Sequence, residues 1–150
     1  MTEHRPAPHD AALPATDEGA TTIVGLVGVY HADGGPIGEA RYVLGKLLGT
    51  SHCGLCDVTH SPIRRKPAWD AMVARLGVPV TLLHLNELPA DVAGIVRDHG
   101  SPAVFGRTRD GSLVLLIDAA GLESLGGSVQ RFESALAGCL ARGGWGLAGR

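Results

Sequence analysis

Ten residues, SHCGLCDVTH at positions 51 to 60, hold two of the chain's three cysteines, two of its seven histidines and an aspartate. Thiolates, imidazoles and carboxylates are the side chains that exchange disulfides, bind transition metals and move protons near neutral pH. If residues 52 to 61 are helical, a rotation of about 100° per residue puts Cys53, Cys56, Asp57, His60 and Arg64 on one stripe. Thr50 or Ser51 would cap that helix, and its N-terminal dipole would favour a thiolate at Cys53. Between positions 41 and 75, Arg41, Lys46, Arg64, Arg65, Lys66 and Arg75 face only Asp57 and Asp70, so six bases less two acids leave an excess of four positive charges. That excess also favours thiolates.

Three chemistries fit the stripe. In the first, the leading expectation, the chain is a thiol–disulfide oxidoreductase with no cofactor. Cys53 attacks a protein or small-molecule disulfide, Cys56 resolves the mixed disulfide, and His60 or His52 carries protons. In the second, Cys53, Cys56 and His60 are ligands of zinc, iron or copper. Asp57, His52 or His31 would complete the shell, His31 because it ends a strand. In the third, the cysteines are small buried side chains in a non-enzymatic, partner-binding module.

The elements that must position these residues follow from hydrophobic periodicity and punctuation. Residues 1 to 20, rich in Pro, Ala and acidic residues, are expected to be a disordered leader. TTIVGLVGVYH (21 to 31) reads as a buried strand, and IGEARYVLGKLLG (37 to 49) has helical spacing. Pro67 opens a helix that Gly77 closes, VPVTLLHL (78 to 85) is a strand, and residues 88 to 100 are a helix ending at Gly100. SPAVFGRT and SLVLLID form an antiparallel hairpin, residues 128 to 142 a closing helix capped by Ser128, and residues 143 to 150 a flexible tail. Strands separated by helices, followed by a hairpin, imply one α/β domain with a mixed sheet flanked by helices.

This order resembles the thioredoxin-like fold across residues 21 to 142. The sharpest piece is SPAVF at 101 to 105, where that family has its cis-proline, and the CGLC string is similar to that of DCC-type thiol oxidoreductases. The resemblance implies that Pro102 lies beside the dithiol and, with Ser101, holds the substrate backbone. The chain departs from the family in one respect: Cys53 comes 22 residues after His31, with a helix expected between them.

Composition excludes other classes. The 150 residues are 45% hydrophobic and 19% charged, with a formal net charge of −2 and only 4% aromatics. Neither a nucleic-acid surface nor an anionic-membrane surface is expected from that balance. The N-terminus lacks the apolar core of a secretory signal, and LVLLI (113 to 117) is far too short to span a bilayer. A cytoplasmic protein with reduced thiols is therefore expected. Tyr30, His31 and Asp33 stand at the end of a strand, where α/β sheets place their sites. RRK at 64 to 66 reads as a solvated loop, His84 as a half-exposed strand residue, and Asn86 with Glu87 as a turn. Trp69 is expected in the core and Cys139 on the apolar side of the last helix. No glycine-rich nucleotide loop or GxSxG elbow is present.

Overall fold

A computed structural model describes residues 18–32, 53–61 and 64–149. The leader through residue 17, the helix expected over 37 to 49, and Asp33 and His52 lie outside the described residues. In chain order the elements are α1 (Glu18–Thr21), β1 (Thr22–Val29), α2 (Gly54–Thr59), α3 (Pro67–Leu76), β2 (Val80–Leu83), a 3-10 turn (Leu85–Glu87), α4 (Ala90–His99), β3 (Ala103–Thr108), β4 (Leu113–Ile117), α5 (Ala119–Glu123), α6 (Val129–Gly143) and β5 (Gly146–Leu147).

The strands make one mixed sheet in the order β2-β1-β3-β4. β1 runs parallel to β2, with Leu26 opposite Val80 and Val29 opposite Leu83, and antiparallel to β3, with Val29 opposite Ala103. The α/β class and the mixed sheet flanked by helices are as expected, in an arrangement consistent with a thioredoxin-like layout. Two parallel strands cannot be joined by a tight turn, so α2 and α3 lie on the crossover from β1 to β2. β3 and β4 do form the expected hairpin, turning at Gly111 with φ +89°.

β1 feeds both faces of the sheet. A register irregularity between Ile23 and Gly25 breaks the strict period of two. Ile23 therefore joins Leu26 and Tyr30 in the larger core, with Leu55, Val58, Trp69, Met72, Leu122, Phe132 and Leu136. Val27 and Val29 point the other way, into a smaller core with Val92, Ala103 and Phe105 under α4. Burying apolar side chains of this kind contributes about 1.5–3 kcal/mol each, which makes the central strand the anchor of the fold.

Several boundaries differ from expectation for local reasons. The strand expected over 78 to 85 stops at Leu83, because the Glu87 carboxylate accepts from the His84 amide and draws the chain into the 3-10 turn. α5 was not expected; Asp118 caps it by accepting from the Gly121 amide. Within the segment expected as a flexible tail, Gly146 and Leu147 pair with Thr22 and Ile23, and Leu147 is buried. Helix α3 ends as expected at Gly77, whose φ of +71° suits a residue without a Cβ. No helix among the described residues is long and apolar enough to cross a membrane.

Candidate functional site

The Cys-x-x-Cys segment forms α2, a helix of six residues seated on the sheet. Gly28 of β1 makes the seat: a Cβ there would meet Leu82 Cδ2 at 2.8 Å and Leu55 Cδ2 at 3.1 Å. Its absence lets Leu55, fully buried, drop onto the central strand. On the opposite side Gly54 lies so close to α5 that a Cβ would be 2.9 Å from Glu123 N and Leu122 C. Lys66 holds the other end, donating from Nζ to Asp57 O at 2.7 Å and to Gly127 O at 2.6 Å. The RRK run is thus split in function. Arg65 pairs with Asp70 in solvent, whereas Lys66 ties α2 to the turn before α6.

Cys53 is the N-cap of α2, with extended backbone (φ −148°, ψ 109°), and its Sγ accepts from the Cys56 amide at 3.3 Å. The two cysteines are bridged as a disulfide, with their Cα atoms 5.2 Å apart. Both belong to the larger apolar core, and Cys53 exposes 1% of its surface and Cys56 8%. The stripe expected from helical geometry is not formed as such. His60 is the C-cap, also extended (φ −126°, ψ 141°), and Arg64 lies beyond it on an exposed turn. A helix that starts after Cys53 and ends before His60 cannot stack them at i, i+3 and i+7, since helical spacing holds only inside the helix.

A different group gathers around Tyr30, at the carboxyl end of β1. Its hydroxyl lies 3.0 Å from Thr59 Oγ1, and Thr59 Oγ1 lies 2.6 Å from His60 Nδ1. The Tyr30 ring meets His60 edge-on at 5.9 Å between centroids and His84 at 5.0 Å. His84 is itself held by Glu87, whose Oε1 is 2.8 Å from Nδ1. The Glu87 carboxyl lies below its ordinary pKa, chiefly through the hydrogen bond from the His84 amide and next through the His84 ring. Beside this group His31 Nδ1 and Ser101 Oγ are 2.9 Å apart, and the Ser101–Pro102 peptide bond is cis.

The structure therefore brings His31, Ser101 and Pro102 together where β1 ends and β3 begins, and Cys53, Cys56, Asp57 and His60 to a single short helix and its caps. Among the described residues, no three His, Cys, Asp or Glu side chains form a group that could hold a metal ion. Of the residues considered for zinc, iron or copper, Cys53, Cys56, His60, His31 and Asp57, His31 has its Nδ1 2.9 Å from Ser101 Oγ, and Asp57 lies one turn along α2 with its backbone carbonyl accepting from Lys66.

Sequence reasoning missed Thr59 as the partner of Tyr30 and Lys66 as a structural tie. Thr59 is fully buried, and a buried hydroxyl must find a partner; beside the local Cys56 carbonyl and His60 ring it reaches Tyr30, which lies 29 residues away. No protein-family model matches the chain, and neither a curated protein nor a solved structure matches it.

Proposed function

We propose that this chain is a thiol–disulfide oxidoreductase, or a closely related thiol-based redox protein, in which Cys53 and Cys56 cycle between dithiol and disulfide. The observation that carries this reading is the placement of both sulfurs across one turn of α2, with the Cys56 amide donating to Cys53 Sγ. A hydrogen bond to a thiolate stabilises it, so the same amide stabilises Cys53 as the thiolate released when the disulfide opens. His60, its ring held by Thr59 at the end of the same helix, is the proposed proton carrier. Ser101 and Pro102, beside His31 at the carboxyl edge of β1, are the proposed substrate-holding residues.

In each cycle two thiols lose two protons and two electrons to a disulfide, which becomes two thiols, so no metal or organic cofactor is required. The test is thiol counting on wild type and on the Cys53→Ser and Cys56→Ser variants. In wild type two thiols should disappear together on mild oxidation with oxidised glutathione and return with dithiothreitol, without denaturant. Each variant should lose that paired response. Thiols that fail to pair, or a disulfide reducible only after unfolding, would refute the reading.

A further inference from the structure

We infer that exchange enters the pair at Cys56, with Cys53 as the inner sulfur, and that the partner is a low-molecular-weight thiol or disulfide. This rests on the dithiol reading above and reverses the order of attack expected from the sequence.

Displacement at a disulfide requires the incoming thiolate to approach along the extension of the S–S bond, so access decides which sulfur is attacked. Both residues belong to the same apolar core, but Cys53 keeps only 1% of its surface exposed and Cys56 keeps 8%, so Cys56 is the less enclosed of the two. The leaving group gives an independent reason. When a thiolate RS⁻ attacks Cys56 Sγ, an RS–Cys56 bond forms, the Cys53–Cys56 bond breaks, and the electron pair departs on Cys53. That sulfur already accepts the Cys56 amide at 3.3 Å, so its negative charge is met where it appears. A second RS⁻ then attacks the R-bearing sulfur, forming RSSR and releasing the Cys56 thiolate. The two protons lost by the RSH molecules end on Cys53 and Cys56, and two electrons pass from RSH to the pair.

Substrate size follows from how firmly α2 is seated. A folded protein's disulfide could reach Cys56 only if α2 lifted away. Gly54 is packed against the backbone of Leu122 and Glu123, and Lys66 ties Asp57 O to Gly127 O. A small thiol needs no such opening.

The experiment uses the full chain and three measurements. Reduced wild type is pulsed with sub-stoichiometric iodoacetamide and the alkylated cysteine located by peptide mass spectrometry. Label is expected on Cys56 in about tenfold excess over Cys53. Next, Cys53→Ser and Cys56→Ser are mixed with oxidised glutathione, and Cys53→Ser, which keeps Cys56, should form the mixed disulfide about tenfold faster. Last, wild type should turn over hydroxyethyl disulfide but not insulin. Label or mixed disulfide favouring Cys53, or equal at the two, overturns the order of attack. Insulin turned over as fast as the small disulfide overturns the substrate class. If wild type does not cycle at all, the proposed function fails, and with it this inference. If wild type cycles but neither variant, each of which also keeps the free Cys139, forms a mixed disulfide at its remaining Cys53 or Cys56, the inference alone fails.

Discussion

Gly54→Ala is the sharpest probe of how the Cys-x-x-Cys helix is seated. An added Cβ would lie 2.9 Å from Glu123 N and Leu122 C and 3.1 Å from Leu122 O, all backbone atoms of α5. Carbon atoms rest about 3.5–4.0 Å from such neighbours, so α2 and α5 must separate by about 0.5–1 Å. Overpacking of this size costs about 1–3 kcal/mol, and backbone cannot swing aside as a flexible side chain can. Alanine's helical preference returns at most about 1 kcal/mol, and less at the first residue of a helix. The net expectation is a loss of about 1–2 kcal/mol, or a Tm lower by about 2–8 °C in a chain of this size. Gly94→Ala is the matched control. It lies inside α4, where a Cβ would meet only Arg97 Nη2 at 3.9 Å, so a gain of about 0.5–1 kcal/mol is expected. Urea unfolding of both variants beside wild type, in oxidised and reduced buffers, measures the two changes. If both substitutions stabilise, α2 is not seated on α5 as described and the size limit on the substrate loses its basis.

Other perturbations separate the contacts around the site. Lys66→Met removes a charged donor from two carbonyls and should cost about 1–3 kcal/mol in urea unfolding. Arg65→Met breaks only a solvent-exposed pair with Asp70 and should change stability by less than about 1 kcal/mol; equal effects would contradict the split within RRK. Leu55→Ala leaves a void over Gly28 and should cost about 2–5 kcal/mol by the same assay, and a loss below about 1 kcal/mol would place Leu55 outside the core. The Glu87 carboxyl lies below its ordinary value near 4.5, so its folded pKa is lower than its unfolded one. Its contribution to stability is present above that value and is lost as the pH falls through the folded pKa. Wild type and Glu87→Gln should therefore differ most above about pH 5 and converge as the pH falls through the folded pKa. Unfolding curves across that range check this, and a gap that widens in acid would reverse the sign.

Much of the scaffold was legible because it is written in local signals. The β-branched run of β1, Pro67 and Gly77 around α3, Gly100 after α4 and Ser128 before α6 act over a few residues each. The hairpin of β3 and β4 was equally plain from two apolar runs around RDG. The cysteine pair stood out by rarity and spacing. Its geometry did not, because helical offsets were extended over residues that cap the helix. Cys53 and His60 have extended φ values of −148° and −126°, and no periodicity reports where a helix of six residues stops. Thr59 could not be linked to Tyr30 before the crossover from β1 to β2 was known. Lys66 and Arg65 look alike in sequence, and only the approach of Gly127 distinguishes the part-buried tie from the solvated pair. α5 is too short to show a periodic face, although Asp118 carried a capping signal that could have marked it.

The measurement that tests the central claim most directly is equilibration of the wild-type chain in glutathione buffers poised from about −320 to about −180 mV. After rapid alkylation, mass spectrometry reads the fraction of Cys53–Cys56 disulfide in each buffer. The expected result is one reversible two-electron transition inside that range, reached from either direction and absent in Cys53→Ser and Cys56→Ser. A pair that stays wholly reduced or wholly oxidised across the range, unchanged from either direction, would show that the two cysteines serve the fold alone.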